Sequence, residues 1–515
     1  MIARRSLLIV TTQLFTRFIG WIALIILAKV WGNFAPEALG TIGFAMAFVS
    51  VFTFISDLGF SQAHVKRVSE GNEIGVCLGT FMAVKLVLTL LMVTVIGLLL
   101  LVGNMINISF YDSTNETIVL IFVYYYILVN ISQIALTTFQ ATKEIVKRQL
   151  IVITENFIKV PLFITIVFLA SNIIYYNKIP NGPITFLSMT YVAGIFATVC
   201  IGFYFLRKYP IKKPTKEMFK CYVTFALPVM LLSIISAVSI NVDKLMIGYF
   251  WTSTEVGYYF TVQQILQIIL IFSSAIGIVL FPTMSEYHSK NNIQKIKEKT
   301  LLAMRYISMI MIPLVIVIIV FVEPIINVML TDVFLPASGV LIVLSLLAFV
   351  TAIGISLNSL IVGMNKPEYT AKIGIVMCIS NLILNVLFIP SDGLLTNFGI
   401  NGPTGAAVAT LISGIFGFIG LCYYSKKLTD IKIIRKYHLY HLIAGSIMGF
   451  YLYLVKLNFV DIPFYVLIIA CIVGFAMYAG ILLAFKELKP EDIQFFKDLI
   501  HPKEMLKYIG GELKK

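Results

Sequence analysis

Charge is scarce in this chain. Only 12% of its 515 residues are Asp, Glu, Lys or Arg, while 59% are hydrophobic. A soluble domain carries about 25% charged residues, so a water-exposed globule is excluded. Histidine is rare too, with five residues (64, 288, 438, 441 and 501). His438 and His441 share a helical face, but no acidic or cysteine partner completes a metal set. The six cysteines (77, 200, 221, 378, 422 and 471) show no CxxC spacing and suit inert packing positions. There is no Walker loop and no dinucleotide fingerprint, which excludes an ATP-driven module and a nucleotide cofactor. No cofactor or metal is expected. Energy for any transport must come from a gradient, the membrane potential or the substrate's own imbalance.

Long apolar runs are what the chain has in abundance. About fourteen are long enough to cross a hydrocarbon core of about 30 Å as helices. They lie at 6–30, 38–60, 77–101, 117–140, 150–172, 185–206, 221–250, 258–282, 303–323, 339–362, 370–390, 403–424, 439–457 and 464–485. The expected fold is therefore an all-α polytopic membrane protein. The 39 Lys and Arg residues fall at the termini or in every second gap between runs, with seven exceptions: Arg17, Lys29, Lys85, Lys159, Lys178, Lys244 and Lys456. Short loops with this bias obey the positive-inside rule, which places both termini in the cytoplasm of a cell that carries the protein in its cytoplasmic membrane. The net charge of +14 is thus a topology signal and an attraction to anionic membrane lipid, and not a nucleic-acid footprint.

The chain echoes itself. Pro36-Glu37-Ala38-Leu39-Gly40 between the first two runs resembles Ser253-Thr254-Glu255-Val256-Gly257 between the seventh and eighth. Thr142-Lys143-Glu144 resembles Asn365-Lys366-Pro367-Glu368 at an offset of about 220 residues. The expected organisation is an N-terminal bundle over 1–206, a cytoplasmic linker at 207–220 and a C-terminal bundle over 221–424. Two further helices follow at 425–485, then an amphipathic cytoplasmic tail at 486–515. Parallel repeats of this kind place a central cavity between bundles near the midplane. Sequons at Asn107 and Asn115 lie in a gap on the outer side, where glycosylation would be topologically allowed.

Polar residues within the runs mark the candidate site, because a polar face in lipid must look toward other helices or water. Tyr126, Asn130, Gln133, Thr137 and Gln140 recur at steps of three and four on one helical face. Gln13, Thr16, Arg17 and Gly20 line another, and Tyr259, Gln263, Gln267 and Ser274 a third. Single residues of this kind usually make interhelical hydrogen bonds, whereas coincident stripes suit a hydrated cavity. Arg17 lies too deep to snorkel, which leaves a cavity or a partner for it. Lys85 is also deep, though its stem could reach partway out. Lys159 has Glu155 at i−4 and is expected to pair with it. Asp57, Asp243 and Lys244 are candidate coupling or gating groups, with sodium or a proton as the coupling ion. Asp243 and Lys244 are adjacent and diverge on the helix, so they cannot form a well-aligned pair with each other.

These residues together resemble the polysaccharide-transporter branch of the multidrug/oligosaccharidyl-lipid/polysaccharide exporter superfamily, the Wzx-like lipid-linked oligosaccharide flippases. Thr16-Arg17-Phe18-Ile19-Gly20, Asp57-Leu58-Gly59-Phe60, Asn241 to Gly248 followed by Glu255-Val256-Gly257-Tyr258-Tyr259, and Gly402 to Thr410 carry the resemblance, in order along nearly the whole chain. It implies a V-shaped pair of bundles in one monomeric transport unit, alternating between inward- and outward-open states. The implied cargo is a glycan linked to a polyprenyl phosphate or pyrophosphate. A drug or organic-cation exporter of the same superfamily is the nearest alternative, kept open by Asp243. A membrane glycosyltransferase or glycan polymerase would need a large outer loop, often with an acidic DxD-like motif, and the outer gaps carry neither. The chain is expected not to be an enzyme.

Overall fold

The computed structural model describes residues 2–105, 113–175, 182–459 and 462–488. The Asn107 sequon, Lys178 and the expected amphipathic tail beyond residue 488 lie outside the described residues. Among those described, the chain is helical throughout: α1 (Ile2–Trp31), α2 (Ala35–Val51), α3 (Thr53–Asp57), α4 (Phe60–Ser69), α5 (Ile74–Met105), α6 (Ser113–Ala141), α7 (Ile145–Tyr175), α8 (Gly182–Leu206), α9 (Lys216–Phe250), α10 (Ser253–Ser289), α11 (Ile293–Val320), α12 (Val322–Met329), α13 (Ser338–Gly363), α14 (Pro367–Phe388), α15 (Gly402–Thr429), α16 (Lys436–Leu457) and α17 (Phe464–Ala484). Apolar side chains such as Val87, Leu90, Phe157, Leu169 and Ile472 stay exposed along these helices, as expected where the surrounding solvent is lipid.

Twelve of the described helical stretches are long and apolar enough to cross a membrane, or thirteen with the bent α10 counted as one span. The chain is therefore an integral multi-pass membrane protein. The sequence count of about fourteen differs chiefly at the first stretch, Thr11–Val51, whose 41 residues form a single candidate here. A straight helix of that length would measure about 60 Å, twice the hydrocarbon thickness. The short turn Gly32–Phe34 divides it into α1 and α2, with Pro36 at the start of α2, where its missing N–H costs nothing. The bend in α10, 46° between Ile271 and Ser273, falls well before Pro282. Ser274 Oγ donates back to the Leu270 carbonyl at 2.9 Å, a local bond that bends helices.

Helix ends repeat a common device. Glu70, Gly71 and Asn72 direct their N–H groups to Lys66, Val68 and Arg67 carbonyls, with Gly71 left-handed. Lys290, Asn291 and Asn292 direct theirs to Glu286, His288 and Tyr287, with Asn291 left-handed. The same pattern closes α6 at Lys143 and α13 at Asn365, both left-handed. These Schellman-type caps satisfy the last carbonyls of each helix, and they recur at the spacing of the sequence echo.

The chain divides into two compact units, Thr11–Phe260 and Thr261 onward with the first ten residues. The division falls within α10, and α9 packs among α2 to α5. In the N-terminal unit the core gathers Phe60, Leu78, Phe81, Ile134, Phe139, Ile151 and Tyr222. In the C-terminal unit one core layer joins Met304, Ile307, Met311, Ala348, Ala352 and Leu357 across α11 and α13.

Candidate functional site

The second apolar run breaks where sequence gives it a weak point. After α3, Leu58 and Gly59 adopt left-handed backbone angles of 42° and 84°. Gly59 is required there: its φ disfavours a side chain, and an added Cβ would lie 2.8 Å from the Ala226 carbonyl on α9. Such a break leaves helix-end carbonyls without their intrahelical partners. Lys85 of α5 answers this, donating to the Ser56 carbonyl at 3.1 Å and to Asp57 Oδ1 at 2.7 Å. Its side chain is 2% exposed and that of Asp57 27%. Ser61 donates a further hydrogen bond to Asp57. A cation at a helix C-terminus also complements the macrodipole.

Hydrogen bonds continue from this pair through the unit. Ser56 Oγ meets Asn130 Oδ1 at 2.8 Å, and Asn130 Nδ2 donates to the Tyr126 carbonyl at 2.9 Å. The Tyr126 side chain is bonded to Ser50, and Asn241 Nδ2 donates to Ser50 Oγ at 3.1 Å. One polar path thus links α3, α5, α6, α2 and α9. Beside Asn241, the Tyr259 hydroxyl donates to Asp243 Oδ2 at 2.6 Å, and Lys244 Nζ reaches the Ile240 carbonyl at 3.1 Å. A third group joins Tyr125, donating to Glu155 at 3.0 Å, with Lys159, which lies 3.6 Å from Glu155 and 4.9 Å from the Tyr191 ring centre.

The residues expected from sequence are distributed as follows. Asn130 and Thr137 are buried, Tyr126 and Gln133 half-buried, so the α6 stripe largely faces neighbouring helices. Arg17 is exposed near the middle of α1, between the exposed rings of Phe15 and Phe18, and Gln13 is half-buried one turn earlier. Gln263 and Gln267 are half-buried on the part of α10 that belongs to the C-terminal unit. Lys85 and Asp57, singled out separately, form one ion pair.

Sequence reasoning gave His64 no role. It is fully buried, with Nδ1 2.8 Å from the Tyr222 hydroxyl and Nε2 3.0 Å from Thr138 Oγ1, and it stacks on Phe81. α4 lies outside the candidate spans, and burial pushes the imidazole down to about 3. His64 is thus a neutral strut joining α4, α6 and α9. No spacing in the sequence would have found it, since its partners are 74 and 158 positions away.

Comparison with known proteins places this architecture. The family described as polysaccharide biosynthesis protein matches residues 2–288, more than half of the chain. The chain belongs to that family. A second family, MatE, matches residues 228–387. Among curated relatives, this polysaccharide biosynthesis family member is similar to the probable low-salt glycan biosynthesis flippase Agl15 of Haloferax volcanii. They are 30% identical over 190 residues, covering 37% of this chain and 38% of the relative. It is also similar to the uncharacterized membrane protein MJ1068 of Methanocaldococcus jannaschii, 26% identical over half of this chain and 48% of that one. Each match spans less than half of the relative's length. Among solved structures, the lipid II flippase MurJ in an inward closed conformation shares the fold. Its TM-score is 0.72 at 18% identity, over 95% of this chain and 99% of that chain. A transporter of the MOP superfamily from Pyrococcus furiosus follows at TM-score 0.58 and 13% identity, covering 83% of this chain and 95% of that one.

Proposed function

We propose that this protein is a flippase that carries a glycan on a polyprenyl phosphate or pyrophosphate from the cytoplasmic to the outer leaflet, by alternating access. The observation that carries this reading is Arg17, a guanidinium exposed at the middle of a span, in the part of the chain that matches the polysaccharide biosynthesis family. A guanidinium binds phosphate through paired, charge-assisted hydrogen bonds, and holds its charge at any physiological pH. The lipid tails stay in the bilayer while the polar head crosses. Gln13 one turn away and Gln133 of α6 carry amides suited to sugar hydroxyls. The topology that fits has fourteen spans, α1 and α2 counted separately, with both termini cytoplasmic and one chain as the transport unit. Asp57, Asp243 and Lys244 are the groups through which sodium or a proton would couple, if the cycle is driven.

Support for a moving gate comes from α2 and α10. A Cβ on Gly40 would lie 1.6 Å from the Ser253 carbonyl, and one on Gly257 would lie 1.9 Å from the Pro36 carbonyl. The two segments that echo each other in sequence therefore touch backbone to backbone.

The test is reconstitution with a fluorescent polyprenyl-pyrophosphate oligosaccharide, scoring how much label becomes reachable by a membrane-impermeant quencher. The wild-type chain should equilibrate the label between leaflets. Arg17→Ala should abolish this while the protein stays folded and monodisperse. Transport unchanged in that variant would remove Arg17 from the site. The MatE match over 228–387 favours a second reading, an exporter of organic cations. Uptake of such a cation with no movement of the labelled lipid would establish it.

A further inference from the structure

The segment that joins α8 to α9 is a fixed strap. The Lys212 N–H donates to the Gly75 carbonyl on α5 at 3.0 Å. The Lys212 carbonyl lies where a Cβ on Gly79 would be, 1.8 Å away, so the strap sits in a notch cut by two glycines one turn apart. The Lys212 side chain pairs with Glu73. On the N-terminal side, Tyr209 donates to Glu144 and packs 6.1 Å from the Phe139 ring. On the other, Thr215 caps α9 by accepting from the Met218 N–H at 3.3 Å. Its shape is set by a backbone contact in the middle and side-chain contacts at both ends.

The outer face of this strap is basic and poorly neutralised. Residues 207–220 carry Arg207, Lys208, Lys212, Lys213, Lys216 and Lys220 against the single acid Glu217. Four of the other basic turns carry their own acids. Lys66 and Arg67 pair with Glu70, Lys147 with Glu144, Lys290 with Glu286 and Lys366 with Glu368. In the strap only Lys212 is paired, and Lys208, Lys213, Lys216 and Lys220 are exposed with no carboxylate in ion-pair reach among the described residues. Between these charges stand exposed apolar side chains: Tyr204 at 61%, Ile211 at 57% and Phe219 at 48%. The strap joins the ends of two membrane-length helices, so it lies at headgroup level.

We infer that residues 204–220 form a docking surface for anionic phospholipid headgroups of the adjoining leaflet. The lysines would meet phosphate while Tyr204, Ile211 and Phe219 enter the interface. Clusters of four to eight basic residues next to a membrane helix bind anionic lipid at about 1 kcal/mol each, or about fivefold in affinity per residue. A rigid strap adds to this by losing no chain entropy when it docks.

The experiment compares lipids retained by the full-length protein in native mass spectrometry, with phosphatidylglycerol and phosphatidylcholine supplied together. Replacing Lys208, Lys213, Lys216 and Lys220 by Gln should lower the retained ratio of phosphatidylglycerol to phosphatidylcholine by at least about fivefold. The same four changed to Arg should keep it, and Lys290→Gln, at an acid-paired site, should leave it unaltered. If the fourfold variant does not fold, Lys213→Gln with Lys216→Gln is the smaller test, with a smaller fall expected. An unchanged ratio in a folded variant overturns the proposal. So does loss of added polyprenyl pyrophosphate with phosphatidylglycerol retained, which would make the strap a capture point for the cargo carrier.

Discussion

The two units handle charge differently. In the N-terminal unit charged groups stand well inside the spans, Arg17 on α1, Lys85 on α5 and Glu155 with Lys159 on α7, while Asp243 and Lys244 lie about two turns from the end of α9. In the C-terminal unit the spans α13 and α17 carry none, and those of α14, α15 and α16 lie within about two turns of a helix end. Its interior polar contacts are between neutral groups, Asn381 with Thr410, Asn385 with Asn381, and Thr370 with Asn358. Arg305 is the exception, and it is gripped by Glu487 just beyond α17. Charge deep in a bilayer is expensive and is kept where it does something. The asymmetry assigns electrostatic work to the N-terminal unit and leaves the C-terminal unit as an apolar bundle held by packing and amides.

The largest expected effect tests that assignment at its centre. Lys85→Ala leaves Asp57 without its cation and the α3 carbonyl uncovered, at a cost of about 3–5 kcal/mol. Lys85→Met combined with Asp57→Asn removes both charges and should recover most of the stability, measured by thermal unfolding in detergent. Transport then discriminates. A double variant that is stable and still moves lipid makes the pair a structural clamp. One that is stable and inactive makes its charges part of the cycle.

Next is the contact between the echoing segments. Gly40→Leu sets a side chain against the Ser253 backbone, which has no flexible end to yield. Overpacking of this kind costs about 1–3 kcal/mol, and here it falls on one conformation. Cysteine labelling from the outer side should increase near Gly257 while total stability changes less. Labelling identical to wild type would show that the contact persists through the cycle.

How much of this was legible in the sequence depends on the range of each interaction. Spans were legible because lipid-facing helices are apolar all round, so length and hydropathy suffice. The Lys159–Glu155 pair was legible because both residues sit one turn apart on α7. The Lys85–Asp57 pair was not, since 28 positions and a helix break separate them, and the register between helices is set by packing. Asp243 finds Tyr259 across a turn for the same reason. The docking of α9 among the helices before it, through Tyr222 and His64, was not legible either, because those two residues are 158 positions apart. The glycines at 75 and 79 held a local clue to that docking, a smooth notch at helical spacing at the start of a span. Whether Arg17 contacts a ligand is a question that neither helical periodicity nor the fold answers, which is why transport is the measurement for it.

A third effect depends on pH. His64 is held well below its unfolded value of 6.5 by burial, so below pH 6.5 the unfolded chain binds a proton that the folded chain does not. Its contribution to stability is intact above 6.5 and falls as pH drops toward about 3. The slope is about 1.4 kcal/mol per pH unit, or about 2 kcal/mol by pH 5. His64→Gln should flatten this part of the stability profile between pH 6.5 and 5. An equally steep profile in the variant would move the acid sensitivity to the carboxylates.

The smallest effect comes from the other unit. Lys456 Nζ lies 2.9 Å from Glu323, an ion pair as short as many buried ones, yet its side chains are 31% and 57% exposed. Both stand at helix ends, Lys456 in the last turn of α16 and Glu323 in the first of α12. Solvent screening and the entropy of two long side chains hold such pairs to less than about 1 kcal/mol. A double-mutant cycle with Lys456→Met and Glu323→Gln should give a coupling well below that of Lys85 with Asp57, and it should shrink further in high salt. A coupling of several kcal/mol that resists salt would mean the pair is sealed from water, and that the C-terminal unit also relies on charge within the membrane.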